Sequence, residues 1–281
     1  MNSYDINSFI ENSLKEDIGS GDHTTLATIN KNEINKAHIL VKQNGIIAGV
    51  ELAKKILKKV DKKIKLTQYL EDGEKVNEGD IIFKITGSAH SILKSERLIL
   101  NCMQRMSSIA SHTNEICKLL KSTKTKILDT RKTTPLNRII EKWAVRIGGG
   151  INHRFGLYDM IMIKDNHIDF VGNVKNAIIN TKKYIKNQNL DLKIIVEARN
   201  LNEVNEIILE GGINRILLDN FNYQKTKEAV KIINGRYETE SSGKITQKNV
   251  LNYAKCGVDY VSMGALTNSI KTFDISLKSI K

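Results

Sequence analysis

A repeating unit of short apolar strand, polar loop and helix dominates the chain from residue 126 onward. The predicted strands are Lys126–Asp129, Asp159–Lys164, Lys193–Glu197, Arg215–Asp219, Tyr237–Glu240 and Val258–Met263. The predicted helices lie near residues 135–147, 172–187, 201–210, 223–233 and 246–256. Such alternation implies parallel strands joined by right-handed crossovers. Because six units are fewer than the eight of a complete β/α barrel, we predict an incomplete or open barrel.

The region before residue 126 has a different pattern. It predicts a helix over 3–16, a strand over 36–47, a helix over 49–60, a strand-turn-strand over 63–87 and a long helix over 90–120. The Ser107-Ser108 pair is a candidate for a kink in the long helix. Asp22, His23 and Thr24 lie among turn-forming residues, and we interpret them as a capped turn. A metal or phosphate site is the less favoured alternative there.

Charged residues, small residues and glycines come close behind the predicted barrel strands. They are Arg131, Lys132, Lys164, Glu197, Asp219, Glu240, Ser242 and Gly264. In β/α barrels the active site lies at the carboxyl ends of the strands, so we expect these residues around one site. The last two loops, Ser242-Gly243-Lys244 and Met263-Gly264-Ala265, are small or contain glycine. They suit contacts between backbone N–H groups and a phosphate.

The segment from Asp129 to Ile168 carries seven lysines and arginines, and several of them follow apolar runs. A cation at the end of a buried strand costs desolvation energy unless an anion pairs with it. We therefore expect an anionic ligand near a group of four cations: Arg131, Lys132, Arg154 and Lys164. The alternative is a set of surface cations paired with Asp129, Glu141 and Asp165. That alternative is favoured for Lys142 and Arg146, which lie on a predicted helix.

The order of these groups along the chain indicates a composite ligand. The early cations suit an organic di-acid, because arginine pairs with a carboxylate through two hydrogen bonds. The carboxylates of Glu197 and Asp219 suit Mg²⁺, which takes one or two carboxylates together with substrate phosphate oxygens. With phosphate-binding loops last, the expected occupants are a di-acid and a phosphorylated sugar bound with Mg²⁺.

Three motifs, DTRKTTP, GGGINHR and LYDMIMIKDNHI, resemble the signature of the quinolinate phosphoribosyltransferase family, and the resemblance runs almost from end to end. It implies an N-terminal α/β sandwich domain with a linker helix over 1–112. It also implies an open β/α barrel over 113–266, with the tail 267–281 packed back on the first domain. The implied reaction joins quinolinate to phosphoribosyl pyrophosphate, and it releases carbon dioxide, pyrophosphate and nicotinate mononucleotide.

The resemblance also assigns roles to residues. It implies that quinolinate is bound by Thr130, Arg131, His153, Arg154, Lys164 and Arg97 of a neighbouring subunit. It implies that phosphoribosyl pyrophosphate is bound by Lys132, Asn220, Ser242, Gly243, Lys244, Met263, Gly264, Ala265 and Asn268. Lys132, Lys164, Glu197 and Asp219 would be catalytic, and Glu197 and Asp219 would bind Mg²⁺, partly through water. The active unit would be a homodimer or a dimer-based oligomer, and no organic cofactor is expected. The chain departs from the usual family pattern at four places. Leu136-Asn137 stands where Gly-Leu is common, Arg199 where an acidic residue is common, Lys244 where glycine is common, and Asn268 where histidine is often found.

The overall composition of the chain limits the alternatives. The 281 residues are 40% hydrophobic and 27% charged, with a formal net charge of +13. The excess lysine is scattered, so we expect neither nucleic-acid nor membrane binding, and the three separated cysteines suggest free thiols in the cytoplasm. Three alternatives stay open. One is a related pyrophosphorylase-like paralogue, associated with molybdate transport, that acts on another base. The others are a nicotinate phosphoribosyltransferase and a non-catalytic polyanion-binding protein.

Overall fold

The computed structural model describes residues 3–280, which form two compact units. The first unit contains the described residues up to Asn114, the segment Thr133–Gly149 and the described residues from Ser269 onward. The second contains Glu115–Lys132 and Gly150–Asn268. The sequence predicted domain boundaries near residues 112 and 266. In the structure the segment Thr133–Gly149, which lies between these boundaries, belongs to the first unit.

The secondary structure follows the chain in two groups of elements. Up to Leu120 the elements are α1 (Ser3–Ile18), α2 (His23–Thr28), β1 (Ile34–Val41), β2 (Gly45–Ile46), α3 (Val50–Val60), β3 (Lys65–Gln68), β4 (Lys75–Val76), β5 (Ile81–Ser88) and α4 (Ala89–Leu120). Then follow β6 (Lys126–Leu128), α5 (Arg138–Ile147), β7 (Ile161–Ile163), α6 (Asp165–Val171), α7 (Val174–Gln188), β8 (Ile194–Ala198), α8 (Leu201–Glu210), β9 (Arg215–Asp219), α9 (Tyr223–Ile233), β10 (Glu238–Ser242), α10 (Val250–Ala254), β11 (Tyr260–Ser262), α11 (Ala265–Asn268) and β12 (Ile275–Ile280).

The first unit is built on an antiparallel sheet with the strand order β12-β1-β5-β3. The C-terminal strand β12 is an edge of this sheet and pairs with β1 from Lys36 to Val41. The apolar face of α3 is fully buried at Leu52, Ala53 and Ile56. Burying such a face gives most of the free energy that keeps a short helix folded.

Helix α4 is a single helix of 32 residues, and the predicted break at Ser107-Ser108 does not occur. The two serines bond to other parts of the first unit instead. The Ser107 hydroxyl donates to the carbonyl of Ala48 and accepts from its N–H, and the Ser108 hydroxyl accepts from the N–H of Phe273. Small polar residues at these positions therefore join chain segments and do not interrupt the helix.

The second unit is an open β/α barrel. Its six parallel strands have the order β6-β11-β10-β9-β8-β7. The edge strands β6 and β7 do not pair with each other within residues 3–280, so the sheet is not closed there. Strand β8 is buried at all five positions, as expected for a parallel strand covered on both faces. The predicted fold class, an open β/α barrel after an N-terminal α/β domain, is confirmed.

Helix α5 differs from its prediction in burial. Glu141 is fully buried and Lys142 is 2% exposed, so the expectation of a solvent-facing cation is wrong for Lys142. The neighbouring Glu141 belongs to a polar cluster inside the first unit. The Glu141 carboxylate accepts hydrogen bonds from the Arg105 guanidinium at 2.8 Å and from the N–H of Thr134 at 3.2 Å. Arg146, on the same helix, is exposed as expected.

Two local features near the chain's loops refine the sequence analysis. Asp22 accepts a hydrogen bond from the N–H of Thr25 and caps α2, in agreement with the capped-turn interpretation. Helix α6 was not predicted, because its seven residues were read as part of the loop after Lys164. No helix among residues 3–280 is long and apolar enough to cross a membrane.

Candidate active site

A cavity of about 700 Å³ lies in the second unit where the strands of the sheet end. The predicted site residues that line it are Thr130, Arg131, Lys132, His153, Arg154, Lys164, Glu197, Asp219, Asn220, Ser242, Gly243, Lys244, Gly264, Ala265 and Asn268. Met263 is buried beside the cavity without lining it, and its N–H donates to the carbonyl of Leu128. Arg97 lies on α4 in the first unit and is exposed.

The cationic side of the cavity is formed by Arg131 and Arg154. Arg154 is only 8% exposed, and its guanidinium donates to the carbonyl of Met160 at 3.2 Å. Burial, followed by the nearby charge of Arg131, lowers the pKa of Arg154. Two guanidinium groups that repel each other at the edge of a cavity favour an anionic ligand between them, since a carboxylate offsets both charges.

A buried carboxylate, that of Asp129, forms hydrogen bonds with the segment that precedes Arg154. Asp129 is fully buried, and it accepts hydrogen bonds from the N–H of His153 at 2.8 Å and from the amide of Asn152 at 2.6 Å. Asp129 follows β6 directly, so the barrel fixes the position of the segment that carries Arg154. The sequence also allowed Asp129 at the surface, whereas the structure buries it completely.

The opposite side of the cavity carries carboxylates and a lysine. The ammonium of Lys164 lies 3.2 Å from the carboxylate of Glu197. Burial raises the pKa of Glu197 and of Asp219, and each value is lowered in part by the charge of Lys164. The charge of Asp219 raises the pKa of Glu197 further. These are two carboxylates in an environment that penalises their negative charge.

This carboxylate pair fits the Mg²⁺ that the sequence indicated. Among residues 3–280, no group of three or more His, Cys, Asp or Glu side chains is arranged to hold a metal ion. Mg²⁺ bound with a phosphate substrate needs fewer protein ligands, typically one or two carboxylates. A divalent cation beside Glu197 and Asp219 would stabilise the ionised forms that burial disfavours.

The third side of the cavity is formed by the loops after β9 and β10, where several residues have positive φ angles. Asn220, Gly243 and Lys244 all have positive φ angles, of 56°, 90° and 52°. The N–H of Asn220 donates to the carbonyl of Ser242 at 2.9 Å, which joins the loops after β9 and β10. A Cβ atom at Gly243 would lie 2.9 Å from the backbone nitrogen of Asn220, so only glycine fits.

The side chain of Lys132 packs against the loop after β11, at Gly264. A Cβ atom at Gly264 would lie 2.9 Å from Cδ of Lys132, so glycine leaves the space that the lysine stem occupies. The hydroxyl of Thr267 donates to the carbonyl of Lys132 at 2.8 Å. Lys132 is thereby held against the loop that contains Gly264.

Sequence reasoning named Glu240 as a residue close to a strand end but gave it no role. In the structure it lines the cavity, is fully buried and contacts both His153 and Arg215. Arg215, at the start of β9, was not identified at all. The available signal was an arginine that opens an otherwise apolar buried strand, which requires an acidic partner.

Two protein-family descriptions match the chain, one for each of two consecutive domains. Residues 22–107 match the family description "Quinolinate phosphoribosyl transferase, N-terminal domain", and residues 109–278 match the corresponding C-terminal domain. The chain belongs to the quinolinate phosphoribosyltransferase family.

Individual relatives agree along nearly the whole chain. The chloroplastic nicotinate-nucleotide pyrophosphorylase [carboxylating] of Arabidopsis thaliana is 44% identical, over 98% of this chain and 83% of the relative. The mitochondrial quinolinate phosphoribosyltransferase [decarboxylating] 2b of Nicotiana tabacum is 43% identical, over 98% and 82%. The crystal structure of NadC from Streptococcus pyogenes aligns with a TM-score of 0.92 at 35% identity and covers 100% of this chain and 99% of its own.

Two of the departures from the family pattern have a common backbone feature. Leu136 and Lys244 both occupy positions where the resemblance leads one to expect glycine, and both have positive φ angles, of 65° and 52°. Such a conformation costs a residue with a side chain roughly 1–2 kcal/mol. Both positions thus have a backbone conformation that glycine would adopt more easily than the residues present.

The third departure is explained by ion pairs away from the cavity. The guanidinium of Arg199 lies 2.8 Å from the carboxylate of Asp169 and 2.6 Å from that of Glu203. Arg199 does not line the cavity, so Glu197 is the acidic residue of that strand end that faces it.

Proposed function

We propose that the protein transfers the phosphoribosyl group of phosphoribosyl pyrophosphate to quinolinate, with loss of carbon dioxide, to give nicotinate mononucleotide and pyrophosphate. The observation in the structure that carries the proposal is one cavity that joins Arg131 and Arg154 to the carboxylates of Glu197 and Asp219. The decarboxylating and carboxylating names of the plant relatives support the same reaction.

The cationic side of the cavity is suited to hold the di-acid. The two guanidinium groups of Arg131 and Arg154 can each form paired hydrogen bonds with a carboxylate. The anchoring of Arg154 by the carbonyl of Met160 restricts its direction before the substrate arrives. A preorganised site of this kind spends less binding energy on ordering its own side chains.

The carboxylate side is suited to the ribose and its leaving group. Glu197 and Asp219 would hold Mg²⁺ with the substrate, and the bound ion would neutralise negative charge on the departing pyrophosphate. The ammonium groups of Lys132 and Lys164 can donate to the same phosphate oxygens. A carboxylate near C1 of the ribose also stabilises positive charge as the C1–O bond breaks.

Bond formation and decarboxylation then balance without a covalent enzyme intermediate. The pyridine nitrogen donates its electron pair to C1 of the ribose as pyrophosphate leaves with the electrons of the C1–O bond. The ring nitrogen becomes positively charged, so the adjacent carbon can keep the electron pair of its bond to the carboxylate. Carbon dioxide departs, and that carbon takes up one proton.

A labelling experiment tests the proposed reaction. The protein is incubated with quinolinate labelled in the carboxylate adjacent to nitrogen, phosphoribosyl pyrophosphate and Mg²⁺, and labelled carbon dioxide and nicotinate mononucleotide are measured. We expect equal amounts of both products. Parallel reactions with nicotinate, and with other aromatic acids, separate the open alternatives. Product from nicotinate without carbon dioxide, or product from a different acid alone, would replace the proposed substrate.

We further propose that the active unit contains two chains and that Arg97 completes the site of the partner. Arg97 lies on α4 in the first unit and is exposed, and the family resemblance assigns it to quinolinate binding in a neighbouring subunit. Helix α4, which carries it, has 32 residues with apolar positions on more than one face. A two-fold axis would let each long helix deliver its arginine to the other subunit.

Subunit complementation tests the shared site. Inactive Arg97→Ala protein is mixed with inactive Arg131→Ala protein under conditions that exchange subunits. Random pairing should restore about one quarter of the wild-type sites, because each mixed dimer has one pocket free of both substitutions. If exchange is verified and no activity returns, Arg97 does not act in the partner's site.

A further inference from the structure

The His153 ring lies in the wall of the cavity with both ring nitrogens close to protein groups. Nδ1 accepts a hydrogen bond from the N–H of Arg154 at 2.7 Å. Nε2 lies 3.4 Å from the carboxylate oxygen Oε2 of Glu240. The His153 side chain is 5% exposed, so it presents little surface to a ligand. An Nδ1 that accepts cannot carry a proton, which places the ring proton on Nε2, facing Glu240.

Glu240 is held in turn by an arginine inside the barrel. It is fully buried, and the same oxygen Oε2 lies 2.9 Å from the guanidinium of Arg215. Arg215 also bonds to Glu238 at 2.9 Å and stacks over the Tyr260 ring at 3.9 Å. Burial alone would raise the pKa of Glu240, but the nearby His153 and the charge of Arg215 lower it on balance. The carboxylate therefore stays ionised and fixed.

We propose that Glu240 is a positioning residue for Arg154 and acts through His153. Glu240 selects the imidazole tautomer with its proton on Nε2, and this tautomer leaves Nδ1 free to accept the N–H of Arg154. The carboxylate of Asp129 accepts a hydrogen bond from the backbone N–H of His153. Asp129 and Glu240 therefore both restrain the backbone turn that carries the Arg154 side chain. The proposal rests on the proposed function only in that Arg154 binds the acid substrate.

This arrangement changes the role expected for His153. Nδ1 accepts the backbone N–H of Arg154 and Nε2 faces Glu240 at 3.4 Å, so we assign the ring to the support of an acid-binding arginine. The group that faces one ring nitrogen commonly decides which nitrogen of a histidine carries the proton. Removing the carboxylate should allow the ring to turn or change tautomer, and Arg154 should lose its backbone restraint.

The strand that carries Glu240 offers a matched control. Glu238 lies two residues earlier on β10, and it also binds Arg215, but it bonds to Tyr260 and has no contact with His153. We compare Glu240→Leu with Glu238→Leu and with the conservative Glu240→Gln, whose amide oxygen can still accept from His153 and Arg215. Steady-state kinetics are measured for both substrates, together with the melting temperature of each variant.

The three variants should separate positioning from stability. Glu240→Leu should raise KM for quinolinate about tenfold to a hundredfold, as expected for loss of a hydrogen bond to a charged group. Its KM for phosphoribosyl pyrophosphate should change by less than about twofold, well below that range. Glu238→Leu should lower the melting temperature without raising KM for quinolinate, and Glu240→Gln should restore most of the affinity. Equal KM changes for the two leucine variants would overturn the proposal.

A measurement on the unaltered protein keeps the proposal testable if Glu240→Leu does not fold. The ¹⁵N shifts of the His153 ring, assigned by comparison with His153→Gln, report which nitrogen carries the proton. We expect the proton on Nε2 and none on Nδ1, since Nδ1 accepts the backbone N–H of Arg154. A ring protonated at Nδ1 would refute the assignment.

Calorimetric binding of quinolinate completes the test. If Glu240 acts through Arg154, the Arg154→Ala and Arg154→Ala/Glu240→Leu proteins should bind quinolinate equally weakly. A further loss in the double variant would show that Glu240 acts by another route. Failure of the proposed function would appear differently, as unaltered protein that neither binds quinolinate nor releases carbon dioxide while its His153 tautomer is as proposed.

Discussion

The two sides of the cavity that we propose to bind acid and phosphate are built in different ways. The acid side consists of buried or anchored side chains, with Asp129 beneath the turn and Arg154 fixed to the carbonyl of Met160. The phosphate side consists of backbone in the left-handed region at Asn220, Gly243 and Lys244. The first depends on which side chains are present and the second on which φ angles the chain accepts. Substitutions should therefore fail for different reasons on the two sides.

The largest effect is expected on the acid side. Arg131→Ala or Arg154→Ala removes a paired interaction with a substrate carboxylate. The expected loss in kcat/KM for quinolinate corresponds to about 2–5 kcal/mol, the range for truncating one partner of a buried charge pair. Arg199→Ala is the matched control, because its guanidinium pairs with Asp169 and Glu203 outside the cavity. An unchanged kcat/KM in both cavity variants would exclude this acid pocket.

The next effect concerns Glu197 and Asp219, the carboxylates that we propose to face the ribose. Glu197→Gln and Asp219→Asn should each lower kcat by about 10²–10³-fold, the range for removing one group that stabilises transition-state charge. Removal of Mg²⁺ with a chelator should abolish turnover of the unaltered protein, and added Mg²⁺ or Mn²⁺ should restore it. Full activity of either variant, or turnover in excess chelator, would contradict the assignment.

Glu197→Gln should lower activity but raise the stability of the metal-free protein. Burial raises the pKa of Glu197, so the folded chain favours the protonated form. Above the unfolded-state pKa the ionised carboxylate opposes folding, and this penalty grows as pH rises through the folded-state pKa. In metal-free protein at pH 8, Glu197→Gln should therefore melt at a higher temperature than the unaltered chain. The difference should shrink as the pH falls toward 4, and a lower melting temperature at pH 8 would contradict this argument.

The sequence predicted features that depend on local patterns but not those that depend on contacts between distant residues. The alternation of strands and helices was enough for the open barrel, and charged residues behind apolar runs were enough for the cavity lining. Glu240 received no role, because its partners His153 and Arg215 are distant in sequence and meet only in the folded sheet. Lys142 was assigned to the surface because helical period alone does not show that α5 is covered around this residue.

Backbone conformation was the other part that the sequence hid. Glycine at 243 signalled an unusual φ angle, but asparagine at 220 and lysine at 244 did not. The long α4 helix was predicted closely, whereas Ser107-Ser108 suggested a break because serine competes for backbone hydrogen bonds. In the structure these hydroxyls bond to segments that the local sequence cannot identify.

The phosphate side should respond to a change that merely adds a methyl group. Gly243→Ala places a Cβ against Asn220 and forces a side chain into a φ angle of 90°. Relief requires the loops after β9 and β10 to separate, so KM for phosphoribosyl pyrophosphate should rise at least tenfold while quinolinate affinity changes little. The strain should lower stability by roughly 1–3 kcal/mol. Gly235→Ala is the control, since it also has a positive φ angle but open space around it.

The smallest predicted effect separates charge from backbone strain at Lys244. Its φ angle of 52° favours glycine, so Lys244→Gly should change the free energy of unfolding by no more than about 1 kcal/mol, in the stabilising direction, because relief of strain is partly offset by the freedom glycine gains when unfolded. Lys244→Ala keeps most of the strain and removes the ammonium group. If the charge contributes to phosphate binding, both variants should raise KM for phosphoribosyl pyrophosphate by about twofold to fivefold, the scale of a solvent-exposed ion pair. Only the glycine variant should melt at a higher temperature. A rise in KM for alanine but not for glycine would mean that the loop conformation, and not the lysine charge, determines phosphate affinity at this position.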